Sequence, residues 1–549
     1  MFRYCYSFNQ PMDTWDVSGV QSFYQMFKGG HIFNQNINNW AVGTLPDTTI
    51  NMMFYDCFEF NQPVDSWNIS NINELSSIFY KCYKFNQPLS AWDVSNVTNM
   101  AWLFYHCDVF NQNINNWNTS NVETLHATFY YAMDFNQPLN NWDVSKVESM
   151  SYTFALTRDF NQNINSWNIS NVSNITYMFR DALGFNQPLN TWDITSCDSL
   201  SHMFYNADSF DQPLDTWTIS GITNLHNTFA YAESFNQPLS TWDVSNVTTF
   251  HGCFEYSAFN QNINNWNVSS ATSLSRMFKN TDTFNQPLDN WVFNPNGNVS
   301  LTYMFQNSTS FNQPLPSWNI PLVSSGGLYA IFANTSFDQP LATWNVSGKT
   351  SFAYMFDATP FNHPLDNWDV SSVVDMSRMF QNNTAFNQPL TAWTTTSLEK
   401  TNNMFYGTTY NKSLSTWDMN NLIHADSMFY NGTYNQSVEM WDTSSLQRAY
   451  AMFYNNTGYD HSFGGWNISQ VIDFRHFFTN GTLSTANYND TLQKWAAQIG
   501  TTGVQTLSGT GQPYVSFGNS KYDAAYQVHK DALEDPLRPG WDIRDGGVV

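Results

Sequence analysis

The sequence predicts an α/β solenoid with one short parallel strand and one short helix per coil, closed by a non-repeating C-terminal cap. Three observations carry the prediction. A segment close to FNQPLNNWDVS returns about every 25 residues, from residue 8 to near residue 490. Such a period marks repeats that stack only on their neighbours. Within each repeat, a Leu-x-x-Trp-x-Val stretch is followed by apolar residues three and four apart. Near the C-terminus the pattern fades. Two parts are therefore expected: a repeat solenoid over 1–482, of about 19 units with the first incomplete, and a last irregular unit with its cap over 483–549.

The ladder is read directly. Its leading aromatic runs from Phe8 through Phe85, Phe110 and Phe135 to Phe386, then becomes Tyr410, Tyr434, Tyr459 and Tyr488. Each is followed by a tryptophan, among them Trp92, Trp117 and Trp142, and the ladder uses 20 of the 22 tryptophans. In one unit Leu89, Trp92 and Val94 have the L-x-x-L-x-L spacing of a leucine-rich repeat, with a strand on the last two. Val97, Met100, Leu103, Phe104 and Cys107 then step helically, with Ser95 or Asn96 as N-cap. The phenylalanine, leucine, tryptophan and valine columns are expected to be buried.

The Asn-Gln pair after each Phe reads as a structural track, with an Asn/Gln path for a polar ligand as the alternative. Proline follows in most units; at Phe33, Phe110, Phe160 and Phe259 Asn-Ile replaces Pro-Leu. The residue after the repeat Trp alternates as Asp93, Asn118, Asp143, Asn168 and Asp193, which halves the repulsion of an unbroken Asp column. No cofactor is expected; a row of weak calcium sites on this column is the alternative, although no dense D-x-D-x-D-G loop is present.

Net charge is −24 with only 12% charged residues. That balance argues against a nucleic-acid groove, which needs a basic stripe. No run of 18 apolar residues exists to span a membrane. Sequons occur at Asn68, Asn96, Asn118, Asn168, Asn171, Asn174, Asn246, Asn267, Asn298, Asn307, Asn334, Asn345, Asn382, Asn411, Asn431, Asn435, Asn455, Asn467, Asn480 and Asn489. Repeat turns that need Asn and Ser create sequons without sugar. Asn307, Asn334, Asn382, Asn431, Asn455 and Asn480 lie outside the repeat consensus and are expected on exposed loops. Cys57, Cys82 and Cys107 share one column, where other units place Ala, so a packed thiol is expected, with a disulfide between adjacent members as the alternative.

Met1-Phe2 has the offset of Met26-Phe27, so the chain reads as a segment of a longer protein. At the other end, Leu492, Trp495 and Ile499 suit a helix, Val504 to Phe517 a turn and strand, and Lys521 to Leu533 a second helix capped by Ser520.

The motif FNQPL-x-x-W-D-V-S-N-V-T-x-M-x-x-M-F resembles the repeat of the BspA-like surface-protein family, a relative of leucine-rich repeats. The terminal W-D-I-R-D-G-G at 541–547 is similar to the W-x-I-x-D-G-G ending of such arrays. The resemblance implies an extracellular or cell-surface location and adhesive or structural roles. The chain departs from the pattern at Phe293–Gly297 and Pro321–Gly327, where longer units are expected to disturb stacking.

No enzyme activity is expected: G-x-S-x-G, H-E-x-x-H, G-x-x-x-x-G-K-[ST] and C-x-x-C are all absent. His106, His126, His202, His226 and His251 read as surface histidines, with a metal pair at His226 and His251 as the alternative. Tyr55, Tyr80, Tyr105 and Tyr130 form a column that is either an exposed patch or a packed ladder. The functional expectation is a repeat scaffold at a cell surface or the glycosylated subunit of an extracellular fibre. The alternative is an adhesin that binds a protein or carbohydrate through the solenoid face. Expected partners are copies of the chain itself, other surface proteins or glycans, with no nucleic acid and no membrane insertion.

Overall fold

The computed structural model describes residues 1–499, 514–536 and 541–549. It corrects the expected fold class. Among the described residues, α-helix is confined to α1, Thr485–Ala496, and α2, Gln527–Glu534. Strand is confined to β1, Tyr514–Ser516, and β2, Asp542–Arg544, which pair in parallel. Short 3-10 turns add Ile320–Leu322 and Ala524–Tyr526. No repeat before residue 483 holds an α-helix or a strand. The leucine-rich-repeat-like α/β solenoid is therefore not what this sequence forms; its repeats are built of turns.

The reason lies in how backbone hydrogen bonds are shared. In the segment expected to be helical, the amides of Met100, Trp102, Phe104 and His106 donate to the carbonyls of Thr124, His126, Thr128 and Tyr130 in the next repeat, at 3.2, 3.0, 2.9 and 2.8 Å. The amides of Leu103, Tyr105 and Cys107 instead close three-residue turns on Met100, Trp102 and Phe104. An α-helix would need those donors for carbonyls four residues back. Trp102 and His106 also sit at φ 60° and 56°, a left-handed conformation that no right-handed helix contains. The expected strand fails similarly. The Trp92 amide closes a turn on the Leu89 carbonyl at 3.1 Å. Neighbouring repeats pair in parallel at single residues, from Glu74 through Asn99 and Thr124 to Ser149.

The chain divides into two compact units, Met1–Ala271 and Thr272–Val549. In the first, aromatic columns form the core. Phe85, Phe110 and Phe135 stack at 6.0 and 5.9 Å. A second column, Phe79, Phe104 and Phe129, lies against them at 3.9, 4.0 and 4.2 Å. Trp92, Trp117 and Trp142 stack at 6.4 and 6.1 Å and are buried. Each such side chain contributes about 1.5–3 kcal/mol through burial. Each indole Nε1 also donates to the preceding repeat, to the carbonyls of Val64, Leu89 and Ile114 at 2.9, 3.0 and 3.1 Å.

The second unit is built on aromatic columns of the same kind. The longer segments expected to disturb stacking do not break it. Val299 bridges to Val323, and Phe311 stacks on Phe337 at 6.3 Å. After the last repeats, α1 buries Tyr488, Leu492 and Trp495, so the first terminal helix ends before Ile499. The second begins only at Gln527, later than the Lys521 expected. Ser520 does not cap it: its hydroxyl donates to the Phe517 carbonyl at 2.7 Å and accepts from the Leu483 amide at 2.9 Å. Residues 504–513 of the expected turn and strand lie outside the described residues, as does Gly540; β1 occupies 514–516. Among the described residues no helix is long and apolar enough to cross a membrane.

Candidate interaction surfaces

The repeat motif is a hydrogen-bond pattern written in side chains. Asn86 Oδ1 accepts the amide of Asn111 at 3.0 Å and Nε2 of Gln112 at 2.9 Å; Asn111 Oδ1 accepts from Asn136 and Gln137 at 3.0 Å each. The Asn-Gln pair thus joins each repeat to the next and satisfies half-buried backbone amides. The Asp/Asn column after the tryptophan closes local turns. Asp93 Oδ1 accepts the Ser95 amide at 3.0 Å, and Asn168 Oδ1 accepts from Ser170 at 3.2 Å. Hydrogen bonds from Ser95, Ser145 and Thr195 hold Asp93, Asp143 and Asp193 below the usual carboxylate range. Alternation of Asp and Asn is tolerated because either side chain supplies the acceptor. Among the described residues, no group of three or more His, Cys, Asp or Glu is placed to hold a metal ion.

The sequons occupy the same pattern. Asn68, Asn118, Asn168, Asn267, Asn345 and Asn467 are turn acceptors. Asn96, Asn171 and Asn246 donate through Nδ2 to the carbonyls of Ser70, Ser145 and Ser220. Asn411 and Asn435 belong to the Asn-Gln track, and Asn174 accepts from Thr176. Asn298 lies at φ 66°. The six that depart from the consensus share one backbone state: Asn307, Asn334, Asn382, Asn431, Asn455 and Asn480 all have φ between 55° and 66°. Asparagine is the residue that best tolerates this region after glycine. Their amides chain from repeat to repeat, as in Asn455 Nδ2 to Asn431 Oδ1 and Asn480 Nδ2 to Asn455 Oδ1, both 2.8 Å. Asn489 is buried in α1 and donates to Asp523 at 2.7 Å.

Cys57, Cys82 and Cys107 are free, buried thiols, each donating to a carbonyl of the preceding repeat, those of Phe27, Phe54 and Phe79, at 3.1, 3.2 and 3.0 Å. Burial pushes the Cys57 thiol up, far from a reactive thiolate.

One face of the first unit carries half-buried aromatic side chains. Tyr55 stacks on Tyr80 at 4.1 Å and Tyr80 on Tyr105 at 4.2 Å; Tyr105 meets Tyr130 at 5.1 Å. The column is thus both packed and part-exposed. Stacking covers the ring faces from Tyr55 to Tyr105, while Tyr105 and Tyr130 meet edge to face. Cations border it: Lys28 lies 3.8 Å from the Tyr55 ring centre, and Arg180 5.3 Å from that of Tyr205. Histidines continue the row. His202, His226 and His251 follow one another at 4.9 Å steps. Burial, aided by the neighbouring cationic groups, brings His202 down to about 4. His106 and His126 also lie on this face, against Tyr131 and Trp102.

Open grooves also lie elsewhere in the first unit, among them two of about 610 and 560 Å³. Pro11, Asp13, Gln35, Asn36, Asn38, Asn39 and Ser66 line one; Pro138, Asn140, Gln162, Asn163, Asn165, Ser166 and Thr191 line the other. The only sequence signal for them is the replacement of Pro-Leu by Asn-Ile.

The family described as Mycoplasma protein of unknown function, DUF285, matches residues 1–80, 48–158, 98–217, 137–240, 198–318, 299–412, 326–434 and 408–509. These overlapping segments together cover residues 1–509 and establish a tandem-repeat protein. The match does not extend to the BspA-like name that the motif suggested. No curated protein matches the chain.

Proposed function

We propose, from the premise that the chain belongs to the DUF285 family of tandem-repeat proteins of unknown function, that it acts outside the cell as a repeat scaffold that binds rather than catalyses. The observation that carries this reading is the uniform use of polar side chains. The Asn-Gln pair, the turn-closing Asp or Asn and the indole Nε1 form the same bonds from repeat to repeat. Such an array presents a repeated surface, and nearest-neighbour bonding makes its length adjustable. The half-exposed tyrosine and cation column supports the second reading, adhesion to a protein or glycan. Tyrosine and arginine are, with tryptophan, the side chains enriched at binding hot spots.

Surface proteolysis of intact source cells, with mass spectrometry of the released peptides, tests the location. Release of peptides from residues 1–482 before lysis is expected. Their appearance only after lysis would remove the extracellular reading. Where the export route glycosylates sequons, exposed Asn68, Asn118 and Asn168 should carry sugar and buried Asn489 should not. Glycopeptide mass spectrometry distinguishes them.

A further inference from the structure

We propose that the amide-lined grooves at the Asn-Gln-Asn-Ile repeats are binding subsites for a neutral glycan. The inference deepens the scaffold reading and rests on it for its biological setting, though not for its chemistry. Both grooves use the same columns of the repeat. Asn36 and Asn163 stand where most units have proline. Proline fixes that turn through its ring; here the side chain fixes it instead. Asn36 Oδ1 accepts the Asn38 amide at 3.0 Å, and Asn163 Oδ1 accepts the Asn165 amide at 2.9 Å. This bond uses the acceptor and leaves Nδ2 on an exposed residue. The substitution also restores a backbone N–H that proline lacks.

The remaining wall is equally polar and well anchored. Asn38 Oδ1 accepts the Ser66 amide at 3.1 Å, and Asn165 Oδ1 accepts the Thr191 amide at 3.1 Å. Pro11 or Pro138 supplies an apolar edge from the preceding repeat. The wall amides are themselves held within the protein: Asn38 Nδ2 on Asp65 at 3.1 Å, Asn165 Nδ2 on Asn190 at 2.9 Å, and Gln35 and Gln162 Nε2 on Asn9 and Asn136 at 2.8 Å each. The donor offered to a sugar hydroxyl is therefore Nδ2 of Asn36 or Asn163. A proline ring suits the C–H face of a pyranose. Neither groove is lined by Lys or Arg, and Asp13 lines one, so a phosphate or sulfate finds no counter-charge.

The side-chain-closed turn recurs at Asn113 with Asn115, at 3.0 Å, and at Asn262 with Asn264, at 2.9 Å. All four turns lie in the first unit. Open, shallow subsites of this kind bind weakly one at a time. The two grooves on one chain, with the same turn at two further repeats, gain avidity on a polymer that presents the same sugar repeatedly.

The test uses the full chain on an immobilised array of neutral oligosaccharides (glucans, mannans, galactans and chitooligosaccharides), with hyaluronan as the anionic counterpart. Calorimetry then follows with the best binder. Binding to a neutral glycan is expected, and it should fall at least tenfold in the variant carrying Asn36→Pro, Asn113→Pro, Asn163→Pro and Asn262→Pro. Proline is the residue most units already carry there, so the fold should survive, checked by circular dichroism. Should that variant not fold, Asn→Asp at the same four positions keeps the turn acceptor while removing the amide donor, and should weaken binding as well. No neutral binder, unchanged affinity in the folded variants, or a preference for hyaluronan would each overturn the proposal. Glycan binding by purified protein is independent of where the chain resides, so a failed surface test would leave this result standing.

Discussion

A tryptophan does two jobs in each repeat. Trp142 is 4% exposed, stacks on Trp117 at 6.1 Å and donates from Nε1 to the Ile114 carbonyl at 3.1 Å. Trp142→Ala should therefore destabilise by about 3–5 kcal/mol. Trp142→Phe keeps most of the apolar area and removes one of the two hydrogen bonds to the Ile114 carbonyl, which still accepts the Trp117 amide at 3.1 Å, and should cost about 0.5–1.5 kcal/mol. Urea titration of both variants separates packing from hydrogen bonding, and a neutral Phe variant would show the indole bond to be unimportant. The left-handed asparagines supply a second test at this scale. Asn455 has φ 58° and donates to Asn431. Asn455→Val should cost roughly 1–2 kcal/mol in backbone strain, and Asn455→Gly should cost less. Equal losses for the two would place the effect in the lost amide bond rather than the backbone.

At the scale of the repeat, the columns were legible and the elements were not. Burial of Phe85, Trp92 and Val94 follows from their recurrence alone, because only a shared interior keeps large apolar residues in phase. Apolar steps of three and four, however, arise from consecutive three-residue turns as readily as from a helix. Spacing cannot tell which carbonyl receives the Phe104 amide, and here it is that of Thr128, one repeat away. A warning was present in the second unit, where the left-handed position becomes Asn at 280, 307, 334, 382, 431, 455 and 480. The grooves were less legible still: Asn-Ile in place of Pro-Leu is visible in sequence, but the amide-closed turn it forms is not.

The histidine row makes a pH prediction at this same scale. Folded His202 stays neutral down to about 4, against an ordinary value of 6.5, mainly through burial. Burial lowers His126 and His226 too. Below pH 6.5 the unfolded chain takes up protons that the folded histidines refuse, so stability should decline as pH falls from about 6.5 toward 4. Denaturant midpoints measured across that window should fall, and His202→Asn should flatten the slope. Burial raises Asp357 to about 6 and acts in the opposite direction over the same window, so the difference between parent and variant is the readout. An unchanged slope in His202→Asn would show that this histidine titrates normally.

For the whole molecule, the repeated bonding pattern makes length a free variable. Removing residues 110–134 joins Val109 to Phe135 and keeps every column in phase. The Asn136 amide then meets Asn86 Oδ1 in place of Asn111 Oδ1, and Trp142 Nε1 meets the Leu89 carbonyl in place of Ile114. The Phe135 ring takes the position of Phe110 against Phe85. Stability should fall only by the contribution of one repeat and its interface, because contacts reach no further than the adjacent unit. The same deletion removes the Asn113 turn and leaves those at Asn36, Asn163 and Asn262. Glycan avidity should then fall modestly rather than vanish, because the grooves at Asn36 and Asn163 remain. Thermal melting and glycan titration of the deletion variant measure both quantities on one sample. A folded variant with all binding lost would place the function in one repeat and not in the array.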